Sequence, residues 1–252
     1  AWHSAYPVLL FLAFVPLLLS EEQWLKEQGT RPRLNVLLYS FIAFLIWNIS
    51  TTWWIYNSTD WGSIAAWILN ALFMAFVFWL YHLFRLRSKH RWSVFVLPVF
   101  WIGFEYLHLS WELSWPWLTL GNGLAGAHRW VQWYAFTGVL GGSFWILMVN
   151  ILLSRIVLQG GAFLDMLKSK AFVIAAAMIV LPIGISLLIY YTYQEQKDPV
   201  SVVIVQPNID PYNEKFSGNT SDQLYKFLRL AEEQVDSTTD YLIGPETCIP
   251  NS

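Results

Sequence analysis

Six stretches of this chain are long and apolar enough, or nearly so, to cross a lipid bilayer, and that constrains the fold more than any other feature. A span needs about 20 predominantly apolar residues. Inside lipid every backbone N–H and C=O must be satisfied within the protein, which leaves helices or closed barrels. The stretches run from Tyr6 to Leu19, Val36 to Tyr56, Trp61 to Phe84, Trp92 to Leu109, Val131 to Ile156 and Ala171 to Tyr193. Continuous runs of this length predict helices, and so a polytopic α-helical membrane bundle over residues 1–195. Pro98 and Pro182 fall inside spans, where neighbouring helices can satisfy the backbone groups that a proline frees. The first stretch is short: either it re-enters the membrane or its start is missing. The text begins at Ala1 inside an apolar segment, so the chain reads as a piece of a longer protein, incomplete at both ends.

Composition agrees. Only 13% of the 252 residues are charged and 56% are hydrophobic, whereas a soluble domain carries about 25% charge. A net charge of -2 argues against nucleic acid, which needs a basic face. A single cysteine, Cys248, excludes an internal disulfide framework or a cysteine-built zinc site. No metal and no cofactor is expected.

Basic residues alternate between the connections. Lys26, Arg31 and Arg33 follow the first stretch, and residues 57–60 hold none. Arg85, Arg87, Lys89 and Arg91 come next, then a long loop with only Arg129, then Arg155, Lys168 and Lys170. Under the positive-inside rule the three basic connections are cytoplasmic. The other two, and everything after Tyr193, face outward.

The outward loops are crowded with aromatics: Trp53, Trp54, Tyr56 and Trp61 on one, Trp111, Trp115, Trp117, Trp130, Trp133 and Tyr134 on the other. They read as an interfacial aromatic belt or as a rim admitting lipids beneath the soluble part. The stretch Ser114-Trp-Pro-Trp-Leu-Thr-Leu-Gly-Asn122 favours the rim, since Pro116, Gly121 and Gly123 imply a fixed, irregular backbone. Glu105 and His108 share a helix face inside the fourth stretch. They are either a functional pair or a structural one bonded to neighbouring helices. Asn48, Asn70 and Asn150 read as interhelical glue. The glycosylation-type triplets at Asn48, Asn57 and Asn219 carry no weight.

After a polar linker, residues 194–199, the chain turns soluble. Val200 to Gln206 reads as a buried strand and residues 208–219 as a loop. A helix capped by Ser221 or Thr220 carries Leu224, Phe227, Leu228, Ala231 and Val235 on one stripe. Tyr241 to Gly244 is a second strand. Strand, helix and strand form one βαβ unit, too small to bury its own core, so more sheet is expected to follow. Pro245 ends the second strand and presents Glu246 at its carboxyl end, where open α/β folds place their chemistry. A partly desolvated carboxylate there can act as a general base; equally, it can be an ordinary acidic residue. Cys248 reads as a structural thiol.

Four stretches carry a resemblance: Ser114-Trp-Pro-Trp-Leu-Thr-Leu-Gly121, Gln132-Trp-Tyr-Ala-Phe-Thr-Gly-Val-Leu-Gly-Gly142, Val203-Val-Ile-Val-Gln-Pro-Asn-Ile209 and Gly244-Pro-Glu-Thr-Cys-Ile-Pro250. In order and spacing they resemble the bacterial apolipoprotein N-acyltransferases, membrane members of the nitrilase (carbon–nitrogen hydrolase) superfamily. The resemblance implies a bundle in the bacterial inner membrane, and residues 199–252 as the first part of a periplasmic nitrilase-like domain. It implies a Glu–Lys–Cys triad in which a cysteine thiolate takes an acyl chain from a phospholipid. The α-amine of a diacylated apolipoprotein's N-terminal cysteine then receives that chain. Glu246 matches the triad glutamate. The lysine and the nucleophilic cysteine should lie further on; Cys248 does not match the nucleophile's motif, so this chain alone is expected to be inactive. Where the family usually has a tryptophan after the first strand, Phe216 is the nearest match, and with Trp115 and Trp117 it is a candidate substrate-binding residue. Two other classes remain: a polytopic membrane scaffold or transporter that works through Glu105 and His108 and whose C-terminal piece only binds a partner, and another membrane-tethered carbon–nitrogen hydrolase.

Overall fold

The computed structural model describes residues 6–27, 31–88, 90–160, 165, 167–195, 197–210, 214 and 218–245. Among them, five helical segments are long and apolar enough to cross a membrane, and a sixth, Ser93–His108, is apolar but shorter. The chain is a polytopic helical membrane bundle. Its α-helices are α1 (Val15–Lys26), α2 (Arg31–Thr52), α3 (Asp60–Ser88), α4 (Leu97–His108), α5 (Tyr134–Gln159) and α6 (Lys170–Thr192). Contacts divide the chain into two compact units, Ala1–Tyr193 and Gln194–Ser252.

The first apolar stretch is one span in two pieces. A 3-10 turn, Pro7–Phe11, is separated from α1 by a break at residues 12–14. The side chain of Asn150, from α5, closes the break. Its Oδ1 accepts the Phe14 N–H at 2.8 Å, and its Nδ2 donates to Leu10 O at 2.8 Å. Without that amide the Phe14 N–H would stand unpaired in an apolar core, and Leu10 O would be left with the bond from Ala13 N–H at 3.4 Å.

Proline has the same effect on α6. Pro182 lacks the N–H that would bond to Met178 O, four residues earlier, and the Trp145 indole N–H of α5 donates to that carbonyl instead. Pro98, by contrast, sits in the first turn of α4, where no N–H is required. Most of α6 faces outward, with Val173, Val180, Leu181 and Leu188 all exposed, as a lipid-facing helix should be.

Tryptophan and phenylalanine build the centre. Trp101 of α4 is fully buried; Phe14 meets it edge-on at 4.9 Å and Trp47 of α2 lies parallel at 6.5 Å. Towards the end of the bundle bearing Lys26, Arg87 and Arg91, an ionic cluster joins α1 to α3. Glu21, wholly buried, accepts from Arg85 and lies 2.8 Å from His82 Nδ1. Arg85 also reaches Glu22 Oε2 at 2.8 Å and the hydroxyl of Ser93 at 3.3 Å. Arg85 therefore belongs to the protein interior rather than to the connection that follows it.

In the second unit β1 (Val202–Ile204) pairs in parallel with β2 (Tyr241–Ile243), Val203 opposite Leu242. Helix α7 (Thr220–Glu232) crosses between them. Its cap is Asn219, whose side chain accepts the Ser221 N–H at 3.0 Å, not the expected Thr220 or Ser221. Phe227 and Ala231 pack on Val205, with Leu230 and Val203 beside them, while Leu228 and Val235 are exposed. The strands expected to be buried expose Val202, Ile204 and all of β2, because two strands and one helix provide only one small contact face. Ahead of β2 the Asp236 carboxylate accepts from the hydroxyl and N–H of Thr238, which hold its pKa below the usual carboxylate value.

Replacing Asn150 by Leu strands the buried Phe14 N–H, costing roughly 1–3 kcal/mol, and also takes a donor from Leu10 O. Thermal unfolding of the purified protein in detergent should show a clear fall in midpoint for Asn150→Leu. Trp145→Phe should also destabilise the protein, by about 1–2 kcal/mol, because the Met178 carbonyl loses its indole donor. Equal midpoints for Asn150→Leu and the unaltered chain would refute the clamp.

Candidate functional site

The loop between α4 and α5, residues 109–133, is where the bundle departs furthest from regular helix. It begins in short turns, runs through a 3-10 turn at Pro116–Leu118, and continues in an irregular 3-10 run, Leu120–Trp130. Three side chains hold its backbone. Glu105 Oε1 accepts the Leu120 N–H at 2.8 Å and the Trp101 indole N–H at 3.0 Å. The Ser143 hydroxyl of α5, beside the same carboxylate, accepts the Gly121 N–H at 3.0 Å. The Tyr134 hydroxyl donates to Gly121 O at 3.0 Å.

Gly121 must be glycine. A Cβ there would stand 2.0 Å from the carbonyl oxygen of Val139. That carbonyl belongs to the turn of α5 just after Gly138, where the helix is interrupted at φ +66°, a conformation that favours glycine. The two glycines let the loop backbone lie against a kinked helix start.

His108 takes part in a second chain of hydrogen bonds. The Trp111 indole, which can only donate, reaches His108 Nδ1 at 2.8 Å. Nδ1 is therefore unprotonated, and the proton sits on Nε2, 2.8 Å from Asn70 Oδ1 of α3. Asn70 Nδ2 donates to Asn48 Oδ1 at 2.7 Å, and Asn48 Nδ2 ends the chain on Phe44 O at 2.8 Å. Every donor in this series has its acceptor, and three helices and the loop are joined through it. Glu105 and His108 therefore carry the structural role, one holding the loop and the other joining helices.

Two apolar hollows flank the loop. A cleft of about 560 Å³ lies between the broken first span and α2, walled by Leu9, Phe14, Phe44 and Trp47, with Leu120 of the loop at its edge. A groove of about 300 Å³ runs along α3, where Gly62, Ala65 and Ala66 leave room, and is closed by Leu113, Ser114 and Trp115 over a floor of Asn70 and His108. Trp115 thus turns inward, half-buried, with its N–H donating to His108 O at 3.3 Å. Trp117 stays half exposed and meets Trp54 edge-on at 5.7 Å, so the aromatics of the two loops form one rim. Glu246, Phe216 and Cys248 lie outside the described residues; β2 ends at Ile243, followed by Gly244 and Pro245.

The sequence reading missed Glu21 and His82, and it did not see that Glu105 would accept a loop N–H. A buried Glu21 was detectable only as an acid within a helical turn of an apolar run. Of the groups around Glu105, the Leu120 N–H lies 15 residues downstream, inside a loop with no periodic pattern, and the Ser143 hydroxyl lies beyond that loop.

Residues 3–152, from the first span to the middle of α5, match the family model described as the apolipoprotein N-acyltransferase N-terminal domain. The chain belongs to the apolipoprotein N-acyltransferase family. Two relatives of that name align with nearly all of it. The protein from Chlorobaculum tepidum is 30% identical over 246 residues, which cover 96% of this chain and 44% of the relative. The protein from Geobacter metallireducens is 25% identical over 256 residues, covering 96% and 47%. The chain therefore spans less than half the length of either relative. The irregular loop, its glycines and both hollows fall within the part matched to the family's N-terminal domain.

Glu105→Gln keeps an acceptor for Leu120 and Trp101, whereas Glu105→Leu leaves both N–H groups unpaired, roughly 1–3 kcal/mol for each. Limited proteolysis should cut Glu105→Leu within residues 110–130 much faster than the unaltered protein, with Glu105→Gln close to unaltered. Equal resistance in all three would show that the carboxylate does not hold the loop.

Proposed function

We propose that the full-length protein transfers an acyl chain from a phospholipid to the α-amine of the N-terminal S-diacylglyceryl-cysteine of apolipoproteins. Family membership, with relatives of that name aligned along 96% of the chain, is the observation that carries this reading. Residues 199–252 are read as the opening βαβ part of a nitrilase-like catalytic domain, with Glu246 just past the end of β2. The alternating basic connections support an orientation with that domain outside the bacterial inner membrane, in the periplasm.

Chemically, Glu246 is the base of a Glu–Lys–Cys triad whose other members belong to the remainder of the protein. It takes the thiol proton as the sulfur attacks the phospholipid ester carbonyl, then hands that proton to the lysophospholipid oxygen as the ester bond breaks and the thioester forms. The substrate amine then attacks the thioester, loses a proton to the same carboxylate, and releases the thiol. Both substrates are lipid-anchored, so they reach such a site laterally. Within the bundle, Trp115 closes an apolar groove along α3 and Trp54 meets Trp117 edge-on, a setting that suits lipid chains, and Phe216 is assigned to acyl-chain contact. The transporter reading loses its support, since Glu105 and His108 are both engaged in holding the bundle together.

The test uses the full-length protein and acyl transfer from phosphatidylethanolamine to a diacylated lipoprotein. Glu246→Gln should lower the rate by about 10²–10⁴-fold, the usual contribution of a positioned general base. Undiminished transfer in that variant would remove the assigned role. Reading the gene past Ser252 should reveal a lysine and then a cysteine within about 150 residues, the length that completes a domain.

A further inference from the structure

Glu105 uses one carboxylate oxygen to hold the loop, and the other is unaccounted for. The side chain is 4% exposed, and its Oε2 has no hydrogen-bond partner among the described residues. The indole N–H of Trp115 is also buried and unpartnered. Both residues line one small cavity where α3, α4 and the loop meet, together with Asn70, Met74, His108 and Thr119.

The two stranded atoms are opposite in character. An indole nitrogen can only donate, and a carboxylate oxygen accepts. Buried polar atoms in native proteins rarely stay unpaired, and ordered water is the usual partner where no protein group reaches. The cavity leaves about 10 Å³ for the centre of a water molecule to occupy, which is room for a single one. A metal ion does not suit the place, because the two stranded atoms are a single carboxylate oxygen and an N–H, which cannot ligate.

We propose that this cavity holds one ordered water that accepts from Trp115 Nε1–H and donates to Glu105 Oε2. The water joins the inward-turned tryptophan of the loop to the carboxylate that already binds the Leu120 N–H. Asn70 and Thr119 line the same cavity, while both ring nitrogens of His108 are already engaged. Trp115 is then held from both ends, by its main-chain N–H on His108 O and by its ring through the water, so the rim of the groove stays in place. This inference is independent of the acyl-transfer reading.

The decisive measurement is a map of the full-length protein in nanodiscs at a resolution that shows ordered water. A peak within hydrogen-bonding distance of both Trp115 Nε1 and Glu105 Oε2 is expected. A dry cavity, or an indole rotated to bond the carboxylate directly, would overturn the proposal. X-ray hydroxyl-radical footprinting without any lipid substrate gives a second reading, because bound water marks side chains that bulk solvent does not reach. Met74, only 2% exposed, should be oxidised in the unaltered protein and severalfold less in Thr119→Leu, which fills the cavity. Equal oxidation of Met74 in both would count against the water. Should Thr119→Leu fail to fold, the map alone decides. Loss of acyl transfer with the peak retained would defeat the functional reading and leave this one standing.

Discussion

A bilayer offers no water to an unpaired peptide group, and this structure is organised around that shortage. Three places where its helices break are met by side chains from elsewhere in the chain. Asn150 spans the break in the first segment, the Trp145 indole takes over for Pro182, and Glu105, Ser143 and Tyr134 hold the irregular loop. None of these contacts is large. Together they let non-helical backbone exist inside a membrane bundle, and they join α4 and α5 to the loop.

That distribution explains what the sequence revealed. Runs of apolar residues mark spans directly, so the bundle and its composition were legible, as was the structural use of Asn48, Asn70 and Asn150. The βαβ unit followed from a β-branched run, an amphipathic stripe and a second short apolar run. The internal state of the spans was not legible. Tyr6 to Leu19 gives no sign of its break, because the residue that stabilises it lies on another helix. The fourth segment looked long enough to cross, but α4 proper is only 12 residues, Leu97–His108, preceded by a 3-10 turn. Asn219 was passed over as a cap because Thr220 and Ser221, equally good cap residues, follow it immediately.

Charge was legible in sign but not in purpose. Arg85 counts with Arg87 and Arg91 as part of a basic connection, yet it is buried against Glu21. Buried ion pairs add little net stability but are costly to break. The cluster therefore acts mainly to fix α1 against α3 in one register. The orientation argument rests on the remaining basic residues, which still alternate after Arg85 is set aside. For the candidate site, the aromatic rim and its glycines were readable as a fixed loop; the direction in which each tryptophan turns was not.

The bond from Phe14 to Asn150 spans 136 positions. The geometry of the first crossing is thus decided by a residue that leaves the ribosome four crossings later. Any stretch of this chain ending before Asn150 lacks the group that allows residues 12–14 to leave the helix. The smallest piece that can close the break in the first segment in this way therefore extends at least to Asn150 in α5.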